Sequence, residues 1–355
     1  MLYIDASRYN NTARKTGVET YSINLIDELI KLAPKQVTLI SPRKIKIGVP
    51  EIVIPFPRLW TLIRLSAYLW KHKEIDNLFV PSHVLPLIHP KNSTITIHDV
   101  AFRHLPESYG LFSRFYLNWG AKFAVKNAAK IIVPSATTKS DLIKFYKADE
   151  KMIHVIPLGF EKQKKRQTSP LVKGGQEDSK TKKYFLYIGR IEHTKNTDTL
   201  IKAFQKFAEK NADIDLVLAG FPGRGGEKIL ASIPKELKDR IKLPGYVGDE
   251  EKDNLMQNAF CFVFPSRYEG FGIPLLEAMA YGLPILASRI PTSYEIVKEN
   301  ALFFETENAD DLAGLMKQVA ASEEMRKKMV VHHQETLKKY SWEKIAEQTL
   351  EVLRK

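Results

Sequence analysis

The chain has 355 residues, 44% of them hydrophobic and 27% charged, a length that favours two domains of roughly 150–200 residues each. Its single cysteine, Cys261, excludes an intrachain disulfide, and no apolar run approaches the roughly 20 residues that a membrane-spanning helix needs. The net charge of +13 is concentrated in residues 1–160, which carry 22 Lys and Arg against 12 Asp and Glu, whereas residues 184–355 carry 24 against 26.

The first ten residues, MLYIDASRYN, lack the basic segment and apolar core of a signal peptide. Together with the single cysteine, this predicts a cytoplasmic protein. The basic first half predicts that one domain meets an anionic surface, for which nucleic acid and an anionic membrane leaflet are the two candidates. A well-solvated basic surface is the alternative.

Short apolar segments alternate with helical ones through the first half. The first helix is predicted from about Thr20 to Leu32, and the predicted strands are Met1–Ile4, Val37–Ser41, Leu78–Val80, Thr94–Ile97, Lys130–Val133 and His154–Ile156. Such alternation predicts a parallel sheet that is covered by helices on both faces.

Two segments of this half combine aromatic, aliphatic and basic residues. Leu59–Lys73, with two tryptophans and three basic side chains, predicts a helix that either lies in a membrane interface or packs on its own sheet, the commoner arrangement. Phe112–Lys126 has a similar composition. These segments lead to the hypothesis that the protein binds peripherally to the inner face of the membrane.

Residues 161–183 are polar and basic, without apolar periodicity, and predict a linker. Alternation then resumes, with a helix from about Pro274 and strands in the segments YFLYIG, LVLAG, KLPGYV, FCFVFP and PILAS. We therefore predict an N-terminal domain over 1–160, a second domain over 184–340, and a closing helix over 341–355 with Ser341 as its N-cap.

The strongest indication of function is the stretch Phe264–Ser288, FPSRYEGFGIPLLEAMAYGLPILAS. A buried strand ends before it, and Pro274 suits the first turn of a helix. Backbone amides of Phe271, Gly272 and Ile273 can then face an anion at the helix N-terminus. Two carboxylates flank this turn, Glu269 and Glu277, and carboxylates suit sugar hydroxyls as hydrogen-bond acceptors.

The whole stretch resembles the retaining glycosyltransferases of family 4, whose signature is two glutamates separated by seven residues in such a segment. The resemblance implies the GT-B fold: two Rossmann-like domains facing each other across a deep cleft, with the C-terminal helix returning to the N-terminal domain. It also implies that Glu269 contacts the transferred sugar and Glu277 the nucleotide ribose. Glutamates on a solvated helix start are the alternative.

Other segments match the family along the chain. Tyr187-Ile-Gly-Arg190 followed by Lys195 resembles the segment that neutralises the diphosphate, although the usual glycine after the lysine is Asn196 here. Gly17 resembles the glycine of the loop between the first strand and first helix, which approaches the diphosphate. These assignments are implied by the resemblance.

Two further matches complete the predicted site. His98, in Ile97-His98-Asp99 after a β-branched strand, is implied to lie near the donor sugar, with a structural histidine as the alternative. Gly245-Tyr-Val247 resembles the segment beside the base, so Tyr246 and Val247 are predicted to bind the donor. His98, Glu269, Arg190 and Lys195 are thus the predicted catalytic residues.

The resemblance implies a retaining hexosyltransferase that uses a nucleotide sugar, with mannose from GDP-mannose favoured by similarity to the mannosyltransferase-like branch. A UDP-sugar is the alternative donor, and the expected acceptor is a glycan or a lipid-linked, lipopolysaccharide-type molecule. No Asp-x-Asp motif suggests a metal clamp, so neither a metal nor another cofactor is predicted. An epimerase or hydrolase on the same scaffold, an inert sugar-nucleotide sensor and a nucleic-acid-binding protein remain the competing interpretations.

Overall fold

The computed structural model of the chain describes residues 1–9, 16–55, 59–160 and 182–355. These divide into two compact units, Met1–Glu161 with Tyr340–Lys355, and Lys162–Lys339. The predicted linker, 161–183, lies outside the described residues except for its last two positions.

The described part of the first unit contains a parallel sheet of seven strands in the order β3-β2-β1-β4-β5-β6-β7. The strands are β1 (Leu2–Asp5), β2 (Val37–Ser41), β3 (Glu51–Val53), β4 (Asn77–Val80), β5 (Asn92–Thr96), β6 (Lys130–Val133) and β7 (Ile153–Val155). Short β-branched runs form this sheet because both of its faces are buried. Of the seven, only the three-residue β3 was not predicted from the sequence.

The helices of the first unit pack on both sides of this sheet. They are α1 (Gly17–Leu32), a π-helical stretch (Trp60–Leu65) that continues into α2 (Ser66–Lys71), α3 (Ala101–His104), α4 (Leu111–Asn127) and α5 (Ala136–Tyr146), with 3₁₀ turns at Pro106–Ser108 and Glu150–Met152. The predicted helix over residues 59–73 is therefore irregular. Its Trp60, Leu65 and Leu69 are buried in the core, whereas Ile63 and Trp70 are exposed.

The second unit contains six described parallel strands in the order β10-β9-β8-β11-β12-β13. The strands are β8 (Lys183–Ile188), β9 (Ile214–Ala219), β10 (Ile241–Gly245), β11 (Cys261–Phe264), β12 (Ile285–Ser288) and β13 (Leu302–Phe304). The helices are α6 (Thr197–Ala208), α7 (Gly226–Ala231), α8 (Asp249–Asn258), α9 (Ile273–Ala280), α10 (Pro291–Val297), α11 (Ala309–Ala321), α12 (Glu323–Val330) and α13 (His333–Leu337), with 3₁₀ turns at His193–Lys195, Lys235–Leu237 and Lys298–Asn300.

The chain ends with α14 (Trp342–Arg354), which packs against α1 of the first unit. The Ser341 side chain caps it by accepting a hydrogen bond from the Lys344 amide. The expected fold of two Rossmann-like α/β domains, with the C-terminal helix returning to the N-terminal one, is confirmed.

The first helix begins earlier than predicted, at Gly17 instead of about Thr20. Thr16 and Glu19 form a capping box, in which each side chain accepts a hydrogen bond from the other residue's backbone amide. Gly17 is consequently the first residue of the helix, and its placement in a loop was wrong.

In each sheet the direction in which successive strands are added reverses at one point. This point lies between β1 and β4 in the first unit and between β8 and β11 in the second. At such a point the connections leave the strands' carboxyl ends in opposite directions and open a crevice, where open α/β sheets bind ligands. The residues that follow β8 and β11 include Arg190, Lys195 and Glu269, which the sequence analysis selected.

Candidate active site

Arg190 follows β8 at the switch point of the second sheet. The hydroxyl of the buried Tyr187 donates a hydrogen bond to the Arg190 carbonyl oxygen over 2.6 Å, which fixes the backbone while Arg190 itself is exposed. Burial, reinforced by the negative charges of Glu269 and Glu192, raises the pKa of Tyr187 well above its usual range. Tyr187 therefore stays protonated and acts as a donor.

Gly220 lies where the loops after β8 and β9 approach each other closely. Gly220, after β9, has φ of +150°, and a Cβ at this position would overlap the carbonyl oxygen of Gly189. The loops after β8 and β9 can therefore meet only if this residue is glycine.

Lys195 and Glu269 meet although 74 residues separate them in the chain. The Lys195 Nζ lies 2.6 Å from the Glu269 Oε1, which also accepts a hydrogen bond from the Ser266 hydroxyl over 2.7 Å. The Thr292 hydroxyl donates to the Glu269 backbone carbonyl over 2.7 Å. Side chain and backbone of Glu269 are thus both held in place at the carboxyl end of β11.

Arg267 joins the two loops that carry this pair. Its guanidinium makes two 3.0 Å hydrogen bonds to the carboxylate of Asp198, and it also binds Glu307 and the carbonyl oxygen of His193. The Arg267 amide donates to the Thr194 carbonyl over 3.0 Å. Because the Arg267 side chain is largely buried, these bonds fix the turn that presents Lys195.

The helix α9 begins where the sequence predicted an anion site. Gly272 has φ of +144°, a conformation that suits glycine, and a Cβ there would lie 3.2 Å from the Leu275 Cδ1. Ile273 is the first helical residue, and Phe271 is buried. The segment Phe271–Ile273 therefore lies at a helix N-terminus, and its binding to phosphate stays a prediction.

Glu277 lies in α9 and pairs with a lysine that the sequence analysis did not select. The Lys252 Nζ donates to the Glu277 Oε1 over 2.8 Å. Burial, reinforced by the charge of Glu277, raises the pKa of the neighbouring Asp253. Lys252 comes from α8, whose sequence gives no signal beyond an ordinary charged helix, so only the tertiary structure identifies it.

Two exposed aromatic rings follow β9 and β10. Phe221 and Tyr246 are stacked, with ring centroids 5.5 Å apart and an angle of 15° between the planes. Val247 next to them is half-buried. The sequence predicted Tyr246 and Val247 beside the base but missed Phe221, which lies in a Gly-Phe-Pro-Gly turn.

His98, in the first unit, is buried between other rings. It makes edge contacts with Tyr21 and His83, at centroid distances of 4.7 and 5.0 Å. Its Nε2–H donates to the Pro81 carbonyl over 3.3 Å, which leaves Nδ1 as an acceptor. Burial, reinforced by His83, lowers the pKa of His98 to about 3, so its imidazole is neutral.

Gly17 lies at the N-terminus of α1, in the same unit. A Cβ at this position would meet no other described heavy atom within 4 Å. The described packing of the chain therefore does not require glycine there, and its approach to the diphosphate stays a prediction.

The structure thus brings Lys195 and Glu269 together, and gives Glu277 and Tyr246 the neighbours Lys252 and Phe221. Within the described ranges, no group of three or more His, Cys, Asp or Glu could hold a metal ion. None of the helices in those ranges is long and apolar enough to cross a membrane.

Two family models match the chain, one to each half. The model "Glycosyltransferase Family 4" matches residues 15–164, and the model "Glycosyl transferases group 1" matches residues 172–336. Together the two matches cover most of the chain.

Curated relatives and solved structures agree with these matches. The O-antigen chain mannosyltransferase RfbU of Salmonella typhimurium is 29% identical over 64% of this chain and 60% of its own length. O-antigen chain mannosyltransferase B of Escherichia coli is 24% identical over 84% of this chain and 77% of its own. A sucrose-phosphate synthase structure from Thermosynechococcus elongatus superposes with a TM-score of 0.79, at 20% identity, over 99% of this chain and 98% of its own, which shows the shared fold.

Proposed function

Since the chain belongs to glycosyltransferase family 4, we propose that it transfers a hexosyl group from a nucleoside diphosphate sugar to a hydroxyl of a glycan or a lipid-linked acceptor. The contact of Lys195 with Glu269 carries this proposal. It places a cation suited to phosphate and a carboxylate suited to sugar hydroxyls at one edge of the sheet.

The donor lies in the second unit. Arg190 and Lys195 neutralise the diphosphate, aided by the N-terminus of α9. Glu269 accepts a hydrogen bond from the sugar and Glu277 from the ribose, while the stacked rings of Phe221 and Tyr246 contact the base.

Transfer proceeds with retention at the anomeric carbon. The bond between this carbon and the phosphate oxygen breaks, and its electron pair stays on the diphosphate. The acceptor oxygen bonds to the same face of the carbon and gives its proton to a phosphate oxygen. Arg190 and Lys195 stabilise the charge that develops on the leaving group.

The same cations replace a divalent metal, and we propose that the reaction needs none. Activity that survives EDTA supports this part of the proposal. Activity that is abolished by EDTA and restored by magnesium or manganese overturns it.

Mannose from GDP-mannose is the favoured donor, because both O-antigen relatives are mannosyltransferases by name. These names also favour a lipopolysaccharide-type acceptor. A UDP-sugar is the second candidate, since stacking between aromatic rings and a base tolerates any base.

We also propose a peripheral membrane location on the cytoplasmic side. The first turns of α4 expose Leu111, Phe112 and Phe115, which are 70–81% accessible, next to the exposed Arg114 and Lys122. An amphipathic surface of this composition suits an anionic leaflet.

Co-sedimentation with phosphatidylglycerol vesicles tests the membrane proposal. The double variant Phe112→Ser with Phe115→Ser is expected to stay in the supernatant at low salt, while Leu87→Ser, another exposed apolar position in the first unit, pellets like the unmodified protein. Equal pelleting of all three proteins contradicts the proposal.

A donor screen tests the activity. The protein is incubated with GDP-mannose, UDP-glucose, UDP-galactose or UDP-N-acetylglucosamine and an O-antigen-type lipid-linked acceptor, and the anomeric configuration of the product is read by NMR. A product with the donor's own α configuration is expected. Inversion, or hydrolysis as the sole reaction, contradicts the proposal.

A further inference from the structure

A cavity of about 180 Å³ opens at the carboxyl edge of the first sheet, beside its switch point. His83, after β4, and Asp99, after β5, form its polar part, and α4 contributes Tyr116 and Gly120. No residue of the predicted site lines it. Because a cavity of about 150 Å³ can hold benzene, this one suits a single six-membered ring.

The polar side of the cavity offers a donor and an acceptor. The His98 backbone amide donates to the Nδ1 of His83 over 3.4 Å, so the neutral ring of His83 carries its proton on Nε2. Burial lowers the pKa of His83, although nearby Asp99 opposes this shift. Neutral His83 can therefore donate one hydrogen bond from Nε2.

Asp99 supplies the acceptor. Its Oδ1 accepts a hydrogen bond from the Ala101 amide over 2.9 Å, which orients the carboxylate and leaves Oδ2 as a further acceptor. The lining also contains three aromatic side chains: Phe102 and Tyr109, whose ring centroids are 6.3 Å apart, and Tyr116. Apolar walls with a few orienting polar groups are typical of small-molecule sites.

We infer that this cavity binds one pyranose ring of the acceptor, with Asp99 accepting from a hydroxyl and the Nε2–H of His83 donating to a sugar oxygen. The inference rests on the proposed glycosyl transfer. It implies that the part of the acceptor that receives the hexosyl group is itself a sugar. A phosphate would meet the like charge of Asp99, and a lipid chain would leave both polar groups unpaired.

Gly120 allows the cavity to be filled without weakening its helix. A Cβ on Gly120 would meet only the His83 carbonyl oxygen, at 3.9 Å, and the residue lines the cavity, so a larger side chain enters the free space. Leucine is also a better helix former than glycine. Gly314→Leu in α11, where a Cβ meets nothing within 4 Å, is the matched control.

Asp99→Asn is the second test variant. Its side-chain oxygen can still accept from the Ala101 amide, while the charge is lost. The probes are the methyl α-glycosides of mannose, glucose, galactose and N-acetylglucosamine, observed by saturation-transfer difference NMR without nucleotide. Titrations with GDP and UDP are run on the same proteins.

At least one glycoside is expected to give a signal with the unmodified protein and with Gly314→Leu. This signal should fall at least fivefold in Gly120→Leu and Asp99→Asn, with nucleotide binding unchanged. Absence of any signal with the unmodified protein overturns the inference, as does a full signal in Gly120→Leu. If a glycoside binds with these variant effects but neither nucleotide binds, the sugar site in the cavity is supported. The proposed use of a nucleotide sugar donor is then contradicted.

Discussion

The Nζ of Lys195 lies 2.6 Å from the Oε1 of Glu269, across the switch point between β8 and β11. The side chains are 28% and 17% accessible, so the pair is neither freely solvated nor fully buried. Each charge compensates the other. In the proposed function the Lys195 ammonium serves the diphosphate and the Glu269 carboxylate serves the sugar.

Replacement of Lys195 by methionine tests its role in phosphate binding. A charge-assisted hydrogen bond contributes about 1.5–3 kcal/mol, so we expect kcat/KM for the donor to fall roughly 10- to 150-fold. Lys206→Met, which breaks the exposed ion pair with Asp310, is the control and should change little. Equal values for the two variants would exclude Lys195 from the donor site.

Arg267 is expected to act by positioning Lys195. Arg267→Lys cannot reproduce the paired hydrogen bonds to Asp198, so we expect kcat/KM to fall by about 10-fold or more. Arg289→Lys is the matched control, since the Arg289–Glu305 pair is exposed. Steady-state kinetics with the donor varied measures both, and unchanged kinetics in Arg267→Lys would contradict the positioning role.

The sequence predicted five of the six described strands of the second sheet, because β9, β11 and β12 are short, fully buried runs, but it missed the three-residue β13. It predicted Glu269 and Glu277 because their spacing belongs to a specific motif. Lys252, the partner of Glu277, is brought there by the packing of α8 near α9, whereas Ser266 lies only three residues before Glu269; no sequence pattern marks either of them.

Local backbone geometry explains one departure from the family motif and one helix that was predicted as regular. Asn196 replaces the glycine expected after Lys195, and its φ of +55° lies in the left-handed region that asparagine tolerates better than most residues. The π-helical stretch Trp60–Leu65 has no signature in a pattern of 3.6-residue periodicity, so a regular helix was predicted there.

The stacked pair of Phe221 and Tyr246 is expected to contact the base. Stacking on a base contributes about 1–3 kcal/mol per base, so Tyr246→Ala should raise the Kd of the preferred nucleotide roughly 5- to 150-fold. Leu243→Ala, at an exposed position of β10, is the control. If calorimetry gives the same Kd for both variants, the base binds elsewhere.

Asp5 makes the first unit sensitive to pH. Burial at the end of β1 raises the pKa of Asp5 from 3.8 to about 6, so the fold favours the protonated form and loses stability as pH rises through this interval. Asp5→Asn, which can still accept from the Ser7 amide, should therefore increase the free energy of unfolding by about 2 kcal/mol more at pH 7.5 than at pH 4.5.

Urea titrations followed by tryptophan fluorescence measure this effect, because all four tryptophans belong to the first unit. Asp76→Asn, at an exposed position of the same unit, controls for the loss of one negative charge. A gain for Asp5→Asn that is the same at both pH values would show that ionised Asp5 does not destabilise the fold.

Calorimetric titration with GDP and with UDP tests the donor site most directly. We expect one of them to bind with a Kd of about 1–100 μM, and the double variant Arg190→Ala with Lys195→Ala to weaken it at least 100-fold, because two charge-assisted hydrogen bonds are lost. Arg289→Ala should bind like the unmodified protein. Binding of neither nucleotide, or unchanged binding by the double variant, would contradict a donor site in the second unit.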